Sequence, residues 1–151
     1  TTEIYTLSLH DALPISYRNA WLAEVDGEVA ACLLGYPAEE APGPIAPDTP
    51  PIFVPLLELE ALAPGSWYLN VLATYWQFRG KGLGSALLAL AEDIARRKGH
   101  RSISLIAEDT HLDALRLYAA IGYREVARRA LVKGDWQVEA NEWVLFVKPV
   151  I

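Results

Sequence analysis

The chain of 151 residues has one cysteine and no methionine. A lone thiol excludes an intrachain disulfide framework and fits a reducing compartment, so a cytoplasmic setting is expected. Cys32 lies in the apolar run Val29-Ala30-Ala31-Cys32-Leu33-Leu34, where it reads as a small buried hydrophobe rather than a nucleophile. No apolar run approaches the ~20 residues that a bilayer-spanning helix needs, so no membrane partner is expected. Basic residues are also scarce: 13 Lys and Arg against 19 Asp and Glu give a formal net charge of −6. Binding nucleic acid through its phosphates requires the opposite balance, so no nucleic-acid partner is expected either. His10, His100 and His111 are too scattered to suggest a metal site.

Hydrophobic residues make up 52% of the chain, enough at this length to bury the core of one domain. The organising stretch runs from Trp67 to Gly99. Trp67-Tyr68-Leu69-Asn70-Val71-Leu72-Ala73 is rich in aromatic and branched side chains and predicts a strand. Arg79-Gly80-Lys81-Gly82-Leu83-Gly84 then makes a tight turn. Behind it Leu83, Ala86, Leu87, Leu90, Ala91 and Ile94 recur at helical spacing. Arg96, Arg97 and Lys98 suit the negative end of that helix, and Gly99 suits a left-handed cap.

A turn that opens a helix leaves backbone N–H groups without partners. Small residues let an anion approach those groups, and Arg79 and Lys81 add positive charge, so the turn is a candidate cradle for a phosphate or pyrophosphate. Two other phosphate loops are excluded. Gly80, Gly82 and Gly84 are spaced G-x-G-x-G, with no third glycine where the dinucleotide fingerprint needs one, and the Gly-Lys-Ser/Thr of a Walker loop does not occur.

Ala20 to Val25 and Glu28 to Tyr36 are β-prone runs separated by Asp26-Gly27, a type I′ hairpin signal. The second run is apolar almost throughout and predicts a central strand buried on both faces. Residues 37–65 hold eight of the ten prolines and read as an insertion. Within it, Leu56 to Leu62 suits a short helix. Two readings stand: a surface insertion packed by Phe53, Leu56 and Leu59, or a lid over an acceptor site. In the second reading Glu39, Glu40, Asp48, Glu58 and Glu60 attract a cation. Ser102 to Ala107 alternates and predicts a strand beside the Trp67–Ala73 strand, joined to it through the helix. Thr110-x-x-Asp113 resembles a capping box. Leu112 to Ile121 then suits a helix stopped by Gly122. Tyr123 to Val132 predicts a strand, Lys133-Gly134-Asp135 a turn, and Glu142 to Pro149 a last strand.

Residues 1–16, TTEIYTLSLHDALPIS, resemble the in-frame translation of a sequencing-library adapter oligonucleotide. A segment of that origin is non-native and stands apart from the fold. Native sequence is then expected from Tyr17, with the authentic N-terminus absent and residues 17–151 forming a single domain.

The glycine turn matches the R/Q-x-x-G-x-G/A signature of the GNAT superfamily of N-acetyltransferases, as Arg79-Gly80-Lys81-Gly82-Leu83-Gly84. A second stretch, His111-x-x-Ala114-x-x-Leu117-Tyr118-x-x-x-Gly122-Tyr123, resembles the family's N-x-x-A-x-x-L-Y-x-x-x-G-F/Y element and follows at a similar distance. The resemblance spans Ala20 to Pro149. It implies an α+β fold: a mixed, mostly antiparallel central sheet flanked by helices, with the first strand and first helices missing or replaced. It implies transfer of an acetyl group from acetyl-CoA, the cosubstrate, to a small-molecule or peptide amine by direct attack. A non-catalytic acetyl-CoA sensor and an inactive truncated fragment are the alternatives.

The resemblance also assigns roles. Arg79, Gly80, Lys81, Gly82, Leu83, Gly84 and Ser85 match the loop that holds the pyrophosphate. Leu72, Ala73 and Thr74 match the strand end that positions the thioester through backbone groups. Tyr118 matches the general acid that protonates the leaving thiolate. His111 stands where the family usually has an Asn that bonds the cofactor, and Trp76 stands where Pro is common. No base is evident: Asn70 cannot take a proton, and Glu58, Glu60 and Glu108 are the acids on offer. Family members often form homodimers.

Overall fold

Asp26 and Gly27 both take positive φ, 52° and 83°, the backbone that a two-residue type I′ turn requires. They join β2 (Ala20–Val25) to β3 (Glu28–Pro37) as the sequence predicts. The computed structural model describes residues 2–6 and 17–151. Among them the further strands are β1 (Thr2–Thr6), β4 (Trp67–Thr74), β5 (Ser102–Glu108), β6 (Arg124–Ala130) and β7 (Glu142–Pro149). They form one sheet in the order β1-β2-β3-β4-β5-β7-β6. Every neighbouring pair is antiparallel except β4 with β5. The mixed, mostly antiparallel α+β architecture is the expected one.

The edge strand β1 falls within the segment set apart above. Thr2 to Thr6 pairs with Val25 to Trp21 of β2. Branched and aromatic residues suit an extended chain, and β2 otherwise presents an open edge that any compatible strand can cover. The rest of residues 1–16 lies outside the described residues, His10 included.

Three helices flank the sheet: α1 (Val54–Glu60), α2 (Leu83–Arg97) and α3 (Leu112–Ala120). On one face Leu83, Leu87, Leu88, Ala91, Ile94 and Ala95 of α2 meet Leu33, Trp67, Leu69, Ile103, Leu105 and Phe146 of the sheet. On the other, Leu59 of α1 and Ala63 pack on Leu145. Leu145 alternates with Val144 and Phe146, so it points away from α2. Leu59 is fully buried and Phe53 is 52% exposed. The insertion is therefore anchored by Leu59, whose burial contributes roughly 2 kcal/mol, and Phe53 is not part of that anchor. Ser66 Oγ donates to Ala63 O at 2.8 Å and lies 2.6 Å from Ser104 Oγ, tying the end of the insertion to β5.

Five local expectations change. The buried stripe of α2 includes Leu88, Glu92 and Ala95 and leaves Ala86 exposed. Glu92 can sit inside because Lys148 Nζ meets its carboxylate at 2.7 Å. Apolar spacing alone cannot forecast a paired buried charge. β3 is an interior strand, but Cys32, Leu34 and Tyr36 are only half-buried, because no α2 counterpart covers their face. Cys32 is therefore partly, not fully, buried. The N-cap of α3 is His111, with no side-chain cap bond. Thr110 instead sits in the tight turn where His111 N bonds Glu108 O at 3.3 Å, so no capping box forms. Strand β6 is shorter at both ends than Tyr123 to Val132.

Among the described residues no helix is long and apolar enough to cross a membrane. Nor does any group of His, Cys, Asp and Glu among them suit a metal ion.

Candidate active site

The parallel pair β4 and β5 opens partway along its length. Their pairing covers Trp67↔Ile103, Tyr68↔Ser104 and Leu69↔Leu105. Beyond that, β4 stays with β3 as far as Thr74↔Ala31, and β5 stays with β7 as far as Glu108↔Trp143. Each strand follows its outer neighbour, and a wedge-shaped gap opens between them. The cause is local. Leu34 pairs with Val71 and Gly35 with Leu69, so Asn70 is an extra residue on β4. Such a bulge bends the strand that carries it.

The glycine turn sits at the open end of this gap. Tyr75 N bonds Ala30 O at 2.8 Å. A short helical turn, Trp76–Phe78, then inserts Phe78 into the core at 8% exposure. Gly80 and Gly82 take φ of 73° and 80°. A Cβ at either would touch nothing within 4 Å, so the left-handed backbone, not crowding, calls for glycine there. Gly82 is the N-cap of α2 and supplies no side-chain cap. Ala86 N bonds Gly82 O at 3.0 Å, but among the described residues the amides of Gly80, Lys81, Gly82, Leu83, Gly84 and Ser85 meet no acceptor. Leu83 is buried, and the turn is otherwise largely exposed. Arg79 Nε donates to Thr74 O at 3.2 Å. Lys81 Nζ stands 5.4 Å from the Phe78 ring centroid. The result is a row of unpaired N–H groups with two cations beside it, at the positive end of a 15-residue helix.

Helix α3 closes one side. A Cβ on Gly84 would lie 3.6 Å from Leu117 Cδ2, so α3 abuts the turn. Tyr118 follows, 8% exposed, with its ring 5.9 Å from Tyr123 and 5.7 Å from Phe146. Burial pushes its phenol above the ordinary tyrosine value, which keeps it protonated at neutral pH. Leu72 and Thr74 are half-buried and Ala73 is exposed, on the stretch of β4 that β5 no longer pairs. His111 lies at the same end of the sheet but turns to Glu108, with Nε2 at 3.5 Å from its carboxylate. So α3 brings Tyr118 next to the turn that follows the end of β4, and His111 lies at the same end of the sheet, beside Glu108.

A second group brings Asn70 and Glu60, both noted in the sequence, together with Tyr36 and Tyr68, which the sequence did not single out. Asn70 Nδ2 donates to Tyr36 Oη at 3.2 Å. The Tyr36 and Tyr68 rings meet edge to face at 5.5 Å. Glu60 raises the pKa of both phenols through its charge, after burial itself. One signal was available: Asn is uncommon inside an apolar strand, and Asn70 marks the bulge. A cavity of about 400 Å³, lined among others by Lys98, His100 and Arg101, lies at the opposite end of β4 and β5, away from the turn.

The chain belongs to the acetyltransferase (GNAT) family, whose model matches residues 3–123, from β1 through the end of α3 to Tyr123. Solved structures share the fold. A GNAT family acetyltransferase from Elizabethkingia anophelis with acetyl-CoA bound superposes with a TM-score of 0.69 at 15% identity, covering 98% of this chain and 97% of its own. Nourseothricin acetyltransferase gives 0.66 at 15% identity, covering 87% and 65%. Ard1 from Thermoplasma volcanium gives 0.64 at 16%, covering 89% and 72%. At these identities the likeness is one of fold. No curated protein matches the sequence.

Proposed function

We propose that the protein is an N-acetyltransferase that moves the acetyl group of acetyl-CoA to an amine by direct attack. The observation that carries the reading is the row of unpartnered amides from Gly80 to Ser85 at the mouth of the β4–β5 gap. A diphosphate accepts hydrogen bonds from those groups, with Arg79 and Lys81 supplying charge. The acyl chain then lies along Leu72, Ala73 and Thr74, whose β5-facing edge has no strand partner. Backbone N–H groups there suit the oxygen that gains charge as the carbonyl is attacked. Acetyl-CoA supplies an activated acyl group on a thiol leaving group. Tyr118 stands beside the gap as the acid for that sulfur, protonated because it is buried. His111 contributes little to binding in this reading, since its ring is paired to Glu108. The acetyl-CoA bound by the Elizabethkingia protein of the same fold supports the cosubstrate. A soluble cytoplasmic protein is the matching setting.

Titration calorimetry with acetyl-CoA, then thiol release across a panel of primary amines, tests the reading. Acetyl-CoA is expected to bind and at least one amine to release CoA. Tyr118→Phe is expected to lower kcat by about 10²-fold or more with acetyl-CoA affinity unchanged. Absence of acetyl-CoA binding by the folded chain would contradict the proposal.

A further inference from the structure

The gap has two faces, and only one is used above. Tyr118 and α2 lie on the face that Leu69 and Phe146 share. Tyr36 and Tyr68 face each other across the β3–β4 ladder and alternate with Gly35 and Leu69, so they project to the opposite face, where α1 lies. The bulged Asn70 joins them there through its bond to Tyr36 Oη. Glu60, at the last position of α1, is half-buried. It pairs with no cation among the described residues, whereas Glu58 on the same helix is taken by Arg129 at 2.9 Å. Tyr68 is 5% exposed, and among the described residues its hydroxyl holds no hydrogen bond but keeps some access to solvent; the fully buried polar atoms without a partner are Tyr123 Oη and Trp143 Nε1. A half-buried acid, a phenol hydroxyl free to bond a ligand and an aromatic edge-to-face pair thus meet at the vertex of the gap.

We propose that this face is the acceptor subsite, that it takes a primary ammonium carried on an aromatic or apolar stem, and that Glu60 is the base that deprotonates it. The inference rests on the acetyltransferase reading above. The Tyr36–Tyr68 pair offers the stem a flat apolar wall and the ammonium a π-face. Tyr68 Oη and Glu60 supply acceptors for its N–H groups. Burial, and then the Glu39 charge, raise the Glu60 pKa, which makes the carboxylate a better proton acceptor near neutral pH. The other groups facing this site are Tyr36 and Tyr68. On the remaining sides of α1, Arg129 of β6 is held by Glu58 and Glu108 of β5 by His111.

The step balances. Glu60 takes one proton from the ammonium. The neutral nitrogen forms a bond to the acyl carbon as the carbon–sulfur bond breaks. The sulfur takes the Tyr118 proton, the second proton shed by nitrogen restores Tyr118, and the Glu60 proton passes to water.

The test uses 2-phenylethylamine with 3-phenylpropanoate as the anionic control, on the wild type, Glu60→Gln and Tyr36→Phe. Direct calorimetry without acetyl-CoA reads the subsite alone. Wild type is expected to bind the ammonium and not the carboxylate. Glu60→Gln is expected to weaken binding by roughly tenfold or more, the loss of one charged hydrogen bond, and to abolish the acid limb of the kcat/KM profile. Tyr36→Phe is expected to retain that limb. Acetyl-CoA affinity and a single cooperative melting transition, whatever its midpoint, serve as controls for folding in both variants. No ammonium binding by wild type, or equal binding and the same pH profile in Glu60→Gln, overturns the proposal. If acetyl-CoA binds in those cases, the acetyltransferase reading stands without it.

Discussion

Gly35→Ala is expected to be among the most damaging single-methyl additions to this protein. A Cβ built on Gly35 falls 2.1 Å from Trp67 Cη2 and 2.5 Å from both Cζ2 and Cζ3. Ordinary carbon contacts need about 3.5–4.0 Å, so the overlap is about 1 Å or more at three atoms of one rigid ring. The ring has nowhere to go. Trp67 is 1% exposed, packs edge-on to Trp21 at 6.0 Å and lies in the α2 core. Overpacking a core costs about 1–3 kcal/mol, and a rigid indole against a ladder residue belongs at the upper end. The expected loss is about 3 kcal/mol against a total of roughly 5–15 kcal/mol for a domain. Equilibrium urea unfolding reads it as a lower midpoint at constant slope. In a Trp67→Phe background the crowding ring is gone, so the same Gly35→Ala change is expected to cost under about 1 kcal/mol, a coupling that a double-mutant cycle isolates. Equal costs in the two backgrounds would show that Trp67 is not what forbids a side chain at position 35.

The turn glycines should separate by backbone rather than by space. Gly82→Ala forces a side chain into a left-handed N-cap at φ 80° and is expected to cost about 1–2 kcal/mol in thermal or urea unfolding. Gly84→Ala meets only an ordinary contact at 3.6 Å inside a helix, so it is expected to be neutral or to gain up to about 1 kcal/mol. For Glu60 the folded pKa is raised, so its stabilising contribution is full at acid pH and is lost as pH rises through the folded pKa. Glu60→Gln is therefore expected to melt higher than wild type at pH above that folded pKa and to lose the advantage below the unfolded carboxylate range. A constant difference across pH would contradict the burial of that acid.

Much of this fold was legible because local chemistry and tertiary structure agree. Asp26-Gly27 can only make one kind of turn, and Gly99 ends α2 at φ 81° as a helix stop should. The strand–turn–helix from Trp67 and the last strand, Glu142–Pro149, lie where the residue patterns put them. What stayed hidden depends on partners. The Asn70 bulge is a property of pairing with Gly35, not of either strand alone. Glu92 in the core needs Lys148, 56 residues away. The subsite around Tyr36, Tyr68 and Glu60 draws on three separate segments, with no spacing to betray it. His111 matched a motif position, but the 3.5 Å approach of its ring to Glu108 is not readable from that motif.

The most direct measurement is the amide NMR spectrum of the labelled protein titrated with acetyl-CoA and, separately, with pantetheine, which has the arm but no diphosphate. The account expects the Gly80 to Ser85 amides to shift strongly downfield with acetyl-CoA and hardly at all with pantetheine, while Leu72 to Thr74 respond to both. Unmoved turn amides at saturating acetyl-CoA would mean that this bend does not grip the diphosphate.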